Sequence, residues 1–256
     1  MRVEPFDPGA LVRDDFLGGQ VRLWQPRDGY RAGVDPVLLA ASVPAKPGQS
    51  VLELGCGAGP ALCCLGARVA GLTLAGIELQ PGYADLARRN LRENAREAVI
   101  WEGDLSDPPV EMRQRSFDHV MANPPYFDAA RRRGADDSGR EIALAGPTPM
   151  ENWVQTATRR LAPRGTATFI QRTERLPEML AAMHRHLGSL ELLPLLPREG
   201  RAPRLVLLRG RKEGRADFRF YPGLILHRGK AHEGDWEQYT EKLTEILRHG
   251  RELSFS

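Results

Sequence analysis

The chain has 256 residues, 41% hydrophobic and 27% charged, with 26 Gly and 20 Pro, a composition that excludes collagen-like, disordered and membrane-spanning classes. At this length about 70–75% of the surface of an unfolded chain can be buried, so the core needs no disulfide or metal staple. Formal charge is only +3, but residues 197–219 hold eight basic and three acidic side chains, a local net of +5 that leaves −2 for the rest.

The N-terminal segment has no apolar signal core, and no run reaches the roughly 18 apolar residues of a membrane span. Residues 16–33, punctuated by Gly and aromatics, read as a hairpin. A short apolar helix then starts at Asp35, placed to cap it, with Pro36 at the first helical position. From residue 50 strand and helix signals alternate: SVLELG (50–55), a helix after Pro60, LTLAGIEL (72–79), a helix from Tyr83 to about Asn94, AVIWEGD (98–104) and FDHVMAN (117–123). A helix opened by a capping box of Thr148, Pro149 and Glu151 follows, then GTATFIQ (165–171), a helix over 174–187, and the late strands LELLPLL and PRLVLLRG. The tail reads as FRFYPGLILH and an amphipathic helix from Asp235 to His249, whose Trp236, Tyr239, Leu243, Ile246 and Leu247 pack back on the sheet.

Such alternation predicts an α/β fold with a doubly wound, mostly parallel sheet and helices on both faces. The expected divisions are a hairpin and helix over 1–48, the main domain over 49–212, and a strand and helix over 213–256. Residues 127–147 are too long and polar for a plain connector and read as an active-site loop or a surface excursion. Cys56, Cys63 and Cys64 form neither a disulfide framework nor a metal-ligand spacing, which points to a reducing, cytoplasmic setting without metal.

The strand at 50–54 runs into Gly55, Cys56, Gly57, Ala58, Gly59 and Pro60, then a helix. Such a turn lets backbone approach a ligand and aims helix N–H groups at it. The dinucleotide pattern GxGxxG fails at Pro60, whereas GxGxG is met by Gly55, Gly57 and Gly59. Glu78 ends the second strand, suited to a ribose diol, and Asp104 ends the third, where it could accept from an adenine amino group. In that order these features resemble the S-adenosylmethionine site of class I methyltransferases. The resemblance implies a seven-stranded sheet, Glu78 with Leu79 at the ribose, Asp104 with Leu105 at the adenine, and Glu53 as the acid inside the first motif. It also sets Arg31, Gly33 and Asp35 at the methionine end, with Asp35 a partner for the ammonium group.

Asn123, Pro124, Pro125 and Tyr126 follow the fourth strand, a more specific signal than the glycines. An amino group conjugated to a ring is a poor nucleophile because its lone pair is delocalised. Two acceptors aimed at its hydrogens, the Asn123 side-chain carbonyl and the Pro124 backbone carbonyl, would favour a pyramidal nitrogen. The prolines preorganise those acceptors, and Tyr126 can stack on a planar substrate. The resemblance to class I methyltransferases also implies that Asn123 borders the cofactor.

The set QPRDGYRAGVDPVLLA, VLELGCGAGP, GIEL, GDL, MANPPYF and APRLVLLRGRK resembles the bacterial tRNA1(Val) N6-adenine methyltransferase family. That resemblance implies catalytic Asn123, Pro124, Pro125 and Tyr126, S-adenosylmethionine as cofactor, and tRNA as substrate without an obligate protein partner. Arg131, Arg132, Arg133, Arg201, Arg204, Arg211 and Lys212 are the candidate phosphate contacts. A release-factor glutamine methyltransferase uses the same motif but carries a helical domain before the glycines, where only 49 residues precede Ser50 here. A noncatalytic RNA-binding protein retaining the fold is the alternative from another class.

Overall fold

A computed structural model describes residues 6–29, 31–126, 148–229 and 238–255. The elements are β1 (Leu11–Phe16), β2 (Val21–Pro26), α1 (Asp35–Ser42), β3 (Ser50–Leu54), α2 (Pro60–Arg68), β4 (Thr73–Glu78), α3 (Pro81–Glu93), β5 (Ala98–Glu102), α4 (Val110–Arg113) and β6 (Phe117–Ala122). There follow α5 (Met150–Arg160), β7 (Leu161–Arg172), α6 (Leu176–His186), β8 (Gly188–Leu196), β9 (Leu205–Arg211), β10 (Arg219–Phe220), β11 (Leu224–Ile225) and α7 (Glu241–His249).

The main sheet runs β5, β4, β3, β6, β7, β9, β8, with β9 antiparallel to both neighbours and the other pairs parallel. The expected seven strands are all present. The tail adds two more of two residues each, β10 and β11, both parallel to β8, so the sheet has nine. Successive strand residues point to opposite faces, and the core divides accordingly. Val51, Met121, Ile170 and Leu207 pack with α1, α2, Leu243 and Ile246, while Leu52, Leu54, Val120 and Phe169 pack with Trp153 and Met183.

Chain order reverses across β3, since β4 lies on one side and β6 on the other. The carboxyl ends of these strands therefore frame the crevice where doubly wound sheets bind ligands. The hairpin of β1 and β2 is held against α3 by two asparagines one helical turn apart. Asn90 accepts from the Trp24 N–H at 2.8 Å and donates to the carbonyls of Trp24 at 3.0 Å and Ala58 at 2.9 Å. Asn94 pairs in the same way with the N–H of Arg22 at 2.9 Å and its carbonyl at 2.7 Å. Two side-chain amides thus act as a strand edge for β2, and Asn90 ties it to the glycine turn.

Three local expectations are corrected. Asp35 lies inside the first turn of α1, whose N-cap is Val34, and makes no cap bond. Thr148 and Glu151 form no capping box: Pro149 is the N-cap, and Glu151 instead accepts from Arg185 at 2.8 Å and meets His186 at 2.6 Å. The tail helix begins at Glu241, where the Thr240 hydroxyl accepts from the Leu243 N–H, while Tyr239 bridges to His227 as extended backbone. Trp236 and the 127–147 stretch lie outside the described residues. No helix among the described residues is long and apolar enough to cross a membrane, and no group of three His, Cys, Asp or Glu among them could hold a metal.

Candidate active site

The turn after β3 requires glycine for two reasons. Gly55 has φ +63° and lies under Trp153, so that an added Cβ would come within 2.6 Å of the indole. Gly57 has φ +52° but faces open space, with nothing within 4 Å of a Cβ built there. Backbone left uncovered in this way can approach a ligand closely.

Two buried carboxyls stand beneath the turn. Glu78 accepts from the Gly57 N–H and the Gln80 N–H, both at 2.9 Å. Burial raises its pKa above the ordinary carboxylate value, although the N–H groups of Gln80, Gly57 and Leu79 oppose the rise. Glu53, 2% exposed, is pushed well above that range by burial, against the Leu62 N–H, with the nearby Glu78 adding to the rise. Its Oε2 is buried and has no hydrogen-bond partner among the described residues.

Asp104 follows β5 beside them, since the Gly103 N–H donates to the Glu78 carbonyl at 3.0 Å. Its carboxylate is exposed and accepts from the Ser106 N–H at 2.7 Å. Leu79 is 49% exposed at the mouth, whereas Leu105 is buried and its carbonyl accepts from Thr156 at 2.9 Å. The Cys56 thiol is pushed up, first by burial and then by Glu53 and Glu78, so it is an inert spacer.

At the end of β6 the next residues are held by contacts from other elements. Gln171 Nε2 donates to the Pro124 carbonyl at 3.1 Å, and Arg175 donates to the Pro125 carbonyl at 3.1 Å. The Tyr126 hydroxyl donates to Asp35 Oδ2, and the Arg172 guanidinium lies over the Tyr126 ring, 5.2 Å from its centre. Asn123 Oδ1 is buried without a hydrogen-bond partner among the described residues.

Asp35 is thus joined to the motif. Arg31 instead grips Asp14 through two contacts of 2.8 Å. With Gly33 it lines a cavity of about 450 Å³ alongside Gln25 and Val37, which no residue of the glycine turn lines. Arg131, Arg132 and Arg133 lie outside the described residues. Because β9 is antiparallel to β7, the basic stripe is split between the two ends of the sheet. Arg204 pairs with the β7 carboxyl end, its carbonyl accepting from the Thr173 N–H at 3.1 Å, and Arg201 is just before it. Arg211 and Lys212 are at the opposite end, donating to the carbonyls of Arg164 at 3.0 Å and Leu161 at 2.6 Å.

Residues 32–194 match the methyltransferase small domain family, which is more than half of the chain. The chain belongs to that family. The "tRNA1(Val) (adenine(37)-N6)-methyltransferase" of Porphyromonas gingivalis strain W83 is 30% identical over 194 residues, 70% of this chain and 74% of the relative. The protein of the same name from strain ATCC 33277 is 31% identical over 170 residues, covering 62% of this chain and 66% of the relative. Among solved structures, a predicted O-methyltransferase from Agrobacterium tumefaciens has a TM-score of 0.69 at 24% identity, covering 86% of this chain and 98% of that one. The Thermus thermophilus 16S rRNA N2 G1207 methyltransferase, solved with AdoMet and guanosine, has a TM-score of 0.54 at 18% identity, covering 79% of this chain and 50% of that one. The fold of this methyltransferase small domain protein is therefore that of the class I S-adenosylmethionine-dependent enzymes.

The donor set suits that cofactor. An open glycine backbone, two acids beneath it and a buried carboxyl oxygen without a partner among the described residues suit ribose hydroxyls and an ammonium group. Sequence reasoning missed Gln171, Arg175 and Arg172, which reach the motif only through the pairing of β6 with β7. It also missed Asn90 and Asn94; the one signal is Asn90, a residue type that ordinarily disfavours a helix interior, while Asn94 sits at the helix C-cap.

Proposed function

We propose that this chain transfers a methyl group from S-adenosylmethionine to the exocyclic N6 amino group of an adenine in tRNA. The curated relatives are named for adenine 37 of tRNA1(Val), and we infer that adenine, in the anticodon loop, as the target. The observation that supports the reading is Asn123 Oδ1, buried at the end of β6 without a partner among the described residues while the groups around it are held. A buried carbonyl left unmade costs about 1–3 kcal/mol, and a substrate N–H restores it. S-adenosylmethionine supplies, when bound, a methyl group on a positively charged sulfur, a strong leaving group. Positioning of the amino group therefore outweighs a dedicated general base.

In this reading Glu78 and Leu79 border the ribose, Asp104 and Leu105 the adenine, and Glu53, Gly55, Gly57 and Gly59 shape the turn. Asn123 and the Pro124 carbonyl receive the amino hydrogens, and the Tyr126 ring stacks on the base. The hairpin and helix over 1–48 and the tail over 213–256 flank a catalytic domain over 49–212, in an enzyme that works in the cytoplasm without an obligate protein partner. A base buried in a stack cannot reach the end of β6, so the target must flip out at a cost of a few kcal/mol. Arg201 and Arg204 at the catalytic end, with Arg131–Arg133 beyond the motif, are the phosphate contacts that offset it. Arg211 and Lys212, about 20 Å away along a seven-residue strand, fall outside this patch.

Nucleoside mass spectrometry of tRNA from a strain lacking the gene tests the reading. Loss of N6-methyladenosine, restored with the gene, is expected. An unchanged nucleoside profile would overturn it.

A further inference from the structure

Pro124 and Pro125 have no backbone N–H, so the peptide planes they share can be held by hydrogen bonds only through their carbonyls. For the Pro124 carbonyl that hold comes from Gln171, whose Nε2 donates at 3.1 Å across 47 residues of sequence. Gln171 is fully buried and sits on β7, in register with Val206 of β9. Its Oε1 accepts from the Arg172 N–H at 2.8 Å, which fixes the amide with its NH2 end toward Pro124. Burying an amide on a central strand is costly unless both ends are used, and here both are. A carbonyl oxygen has two lone pairs, and the donor on one of them sets where the other points.

We propose that Gln171 is a positioning residue for methyl transfer: by donating to the Pro124 carbonyl it aims the remaining lone pair, so that this oxygen and Asn123 Oδ1 together receive both N–H bonds of the target amino group. The inference rests on the adenine N6 reading of the site. It goes beyond that reading because the motif alone does not form the acceptor pair; β7 completes it. A purely structural role for Gln171 would affect stability and cofactor binding in step with activity.

The test measures kcat, KM for tRNA, cofactor affinity and thermal unfolding of Gln171→Glu and Gln171→Met between pH 6 and pH 8.5. The Gln171→Glu side chain keeps its shape and still accepts from Arg172, but donates to Pro124 only when protonated. At pH 8.5 its kcat is expected to fall at least tenfold, with KM and cofactor affinity within about twofold of wild type. Its activity relative to wild type then rises several-fold toward pH 6, whereas Gln171→Met stays low and flat. Wild-type kcat at pH 8.5, a ratio that ignores pH, or a loss matched by lost cofactor binding would each overturn the role. Should Gln171→Glu fail to fold, Gln171→Met decides: a tenfold lower kcat at retained cofactor affinity supports the role, and an unchanged kcat overturns it. A wild-type protein unable to methylate tRNA would overturn the substrate reading and this inference with it. An active wild type with indifferent variants would overturn only the assignment of Gln171.

Discussion

At the amino ends of β3, β6 and β7 the polar groups are paired. Asp118 accepts from both the N–H and the hydroxyl of Ser50 at 2.8 Å, and His119 is bridged between Thr166 at 2.8 Å and Gln49 at 3.0 Å. At the carboxyl ends of the same sheet, Glu53 Oε2 and Asn123 Oδ1 are buried without partners among the described residues, and Glu78 is held above its ordinary pKa by burial. One end holds the sheet together. The other keeps buried acceptors that no described residue satisfies, which in the proposed reading are left for ligands at a cost in stability to the ligand-free protein. Substitutions at the two ends should therefore separate, with activity lost at one and stability lost at the other.

The largest effect is expected at Asn123. Asn123→Ala should lower kcat by about 10²–10³, roughly 3–4 kcal/mol, a scale set by losing one preorganised polar contact in a transition state. Cofactor affinity, read by calorimetry, should stay near the wild-type value, because in the proposed mechanism that side chain acts mainly on the reacting amine.

The opposite end should respond to acid. Burial first, with Arg209 and Arg68 assisting against Asp118, lowers His119 to about 4. A histidine whose folded pKa is depressed contributes stability that is complete above about pH 6.5 and is lost as pH falls toward 4. Urea titrations between pH 7 and pH 4 should show a loss on the order of 3 kcal/mol. His119→Gln, which keeps hydrogen bonding but does not titrate, should flatten that loss and leave methyl transfer at pH 7.5 unchanged.

Glu78→Ala should weaken cofactor binding by about 1.5–3 kcal/mol, the scale of a lost charge-assisted hydrogen-bond pair. Calorimetry on the folded variant checks this, and unchanged affinity would remove Glu78 from the cofactor site. The smallest effect is expected at Glu53. Its folded pKa is raised, so the stability its protonated form provides is present at low pH and is lost as pH rises through the folded value. Glu53→Gln should raise the Tm of the ligand-free protein by a few degrees at pH 8 and by less at pH 5.

What could be read from the sequence was what the chain states locally. The glycine turn, the acids after β4 and β5 and the residues after β6 each occupy a few consecutive positions, and the alternation of strands and helices gave the sheet. Contacts across long separations were not readable: Gln171 meets Pro124 across 47 residues, and Tyr126 meets Asp35 across 91. Asp35 looked like a helix cap because a carboxylate before Pro36 suits one, but the tyrosine hydroxyl claims it. The arginines of 201–212 looked like one stripe because sequence order does not reveal that β9 runs antiparallel, which carries Arg204 and Arg211 to opposite ends. The tail helix was extended too far because Trp236 and Tyr239 continue the apolar spacing, although Thr240 supplies a cap that places the start.

The central claim is that the carboxyl end of β6 methylates an adenine amino group. Purified wild-type and Asn123→Ala proteins, each incubated with S-adenosylmethionine and unmodified tRNA, test it most directly when the nucleosides are resolved by mass spectrometry. N6-methyladenosine from wild type alone, with equal cofactor binding by both proteins, is the result expected. Methyl groups appearing on guanine or on a protein glutamine instead, or equal N6-methyladenosine from both proteins, would contradict it.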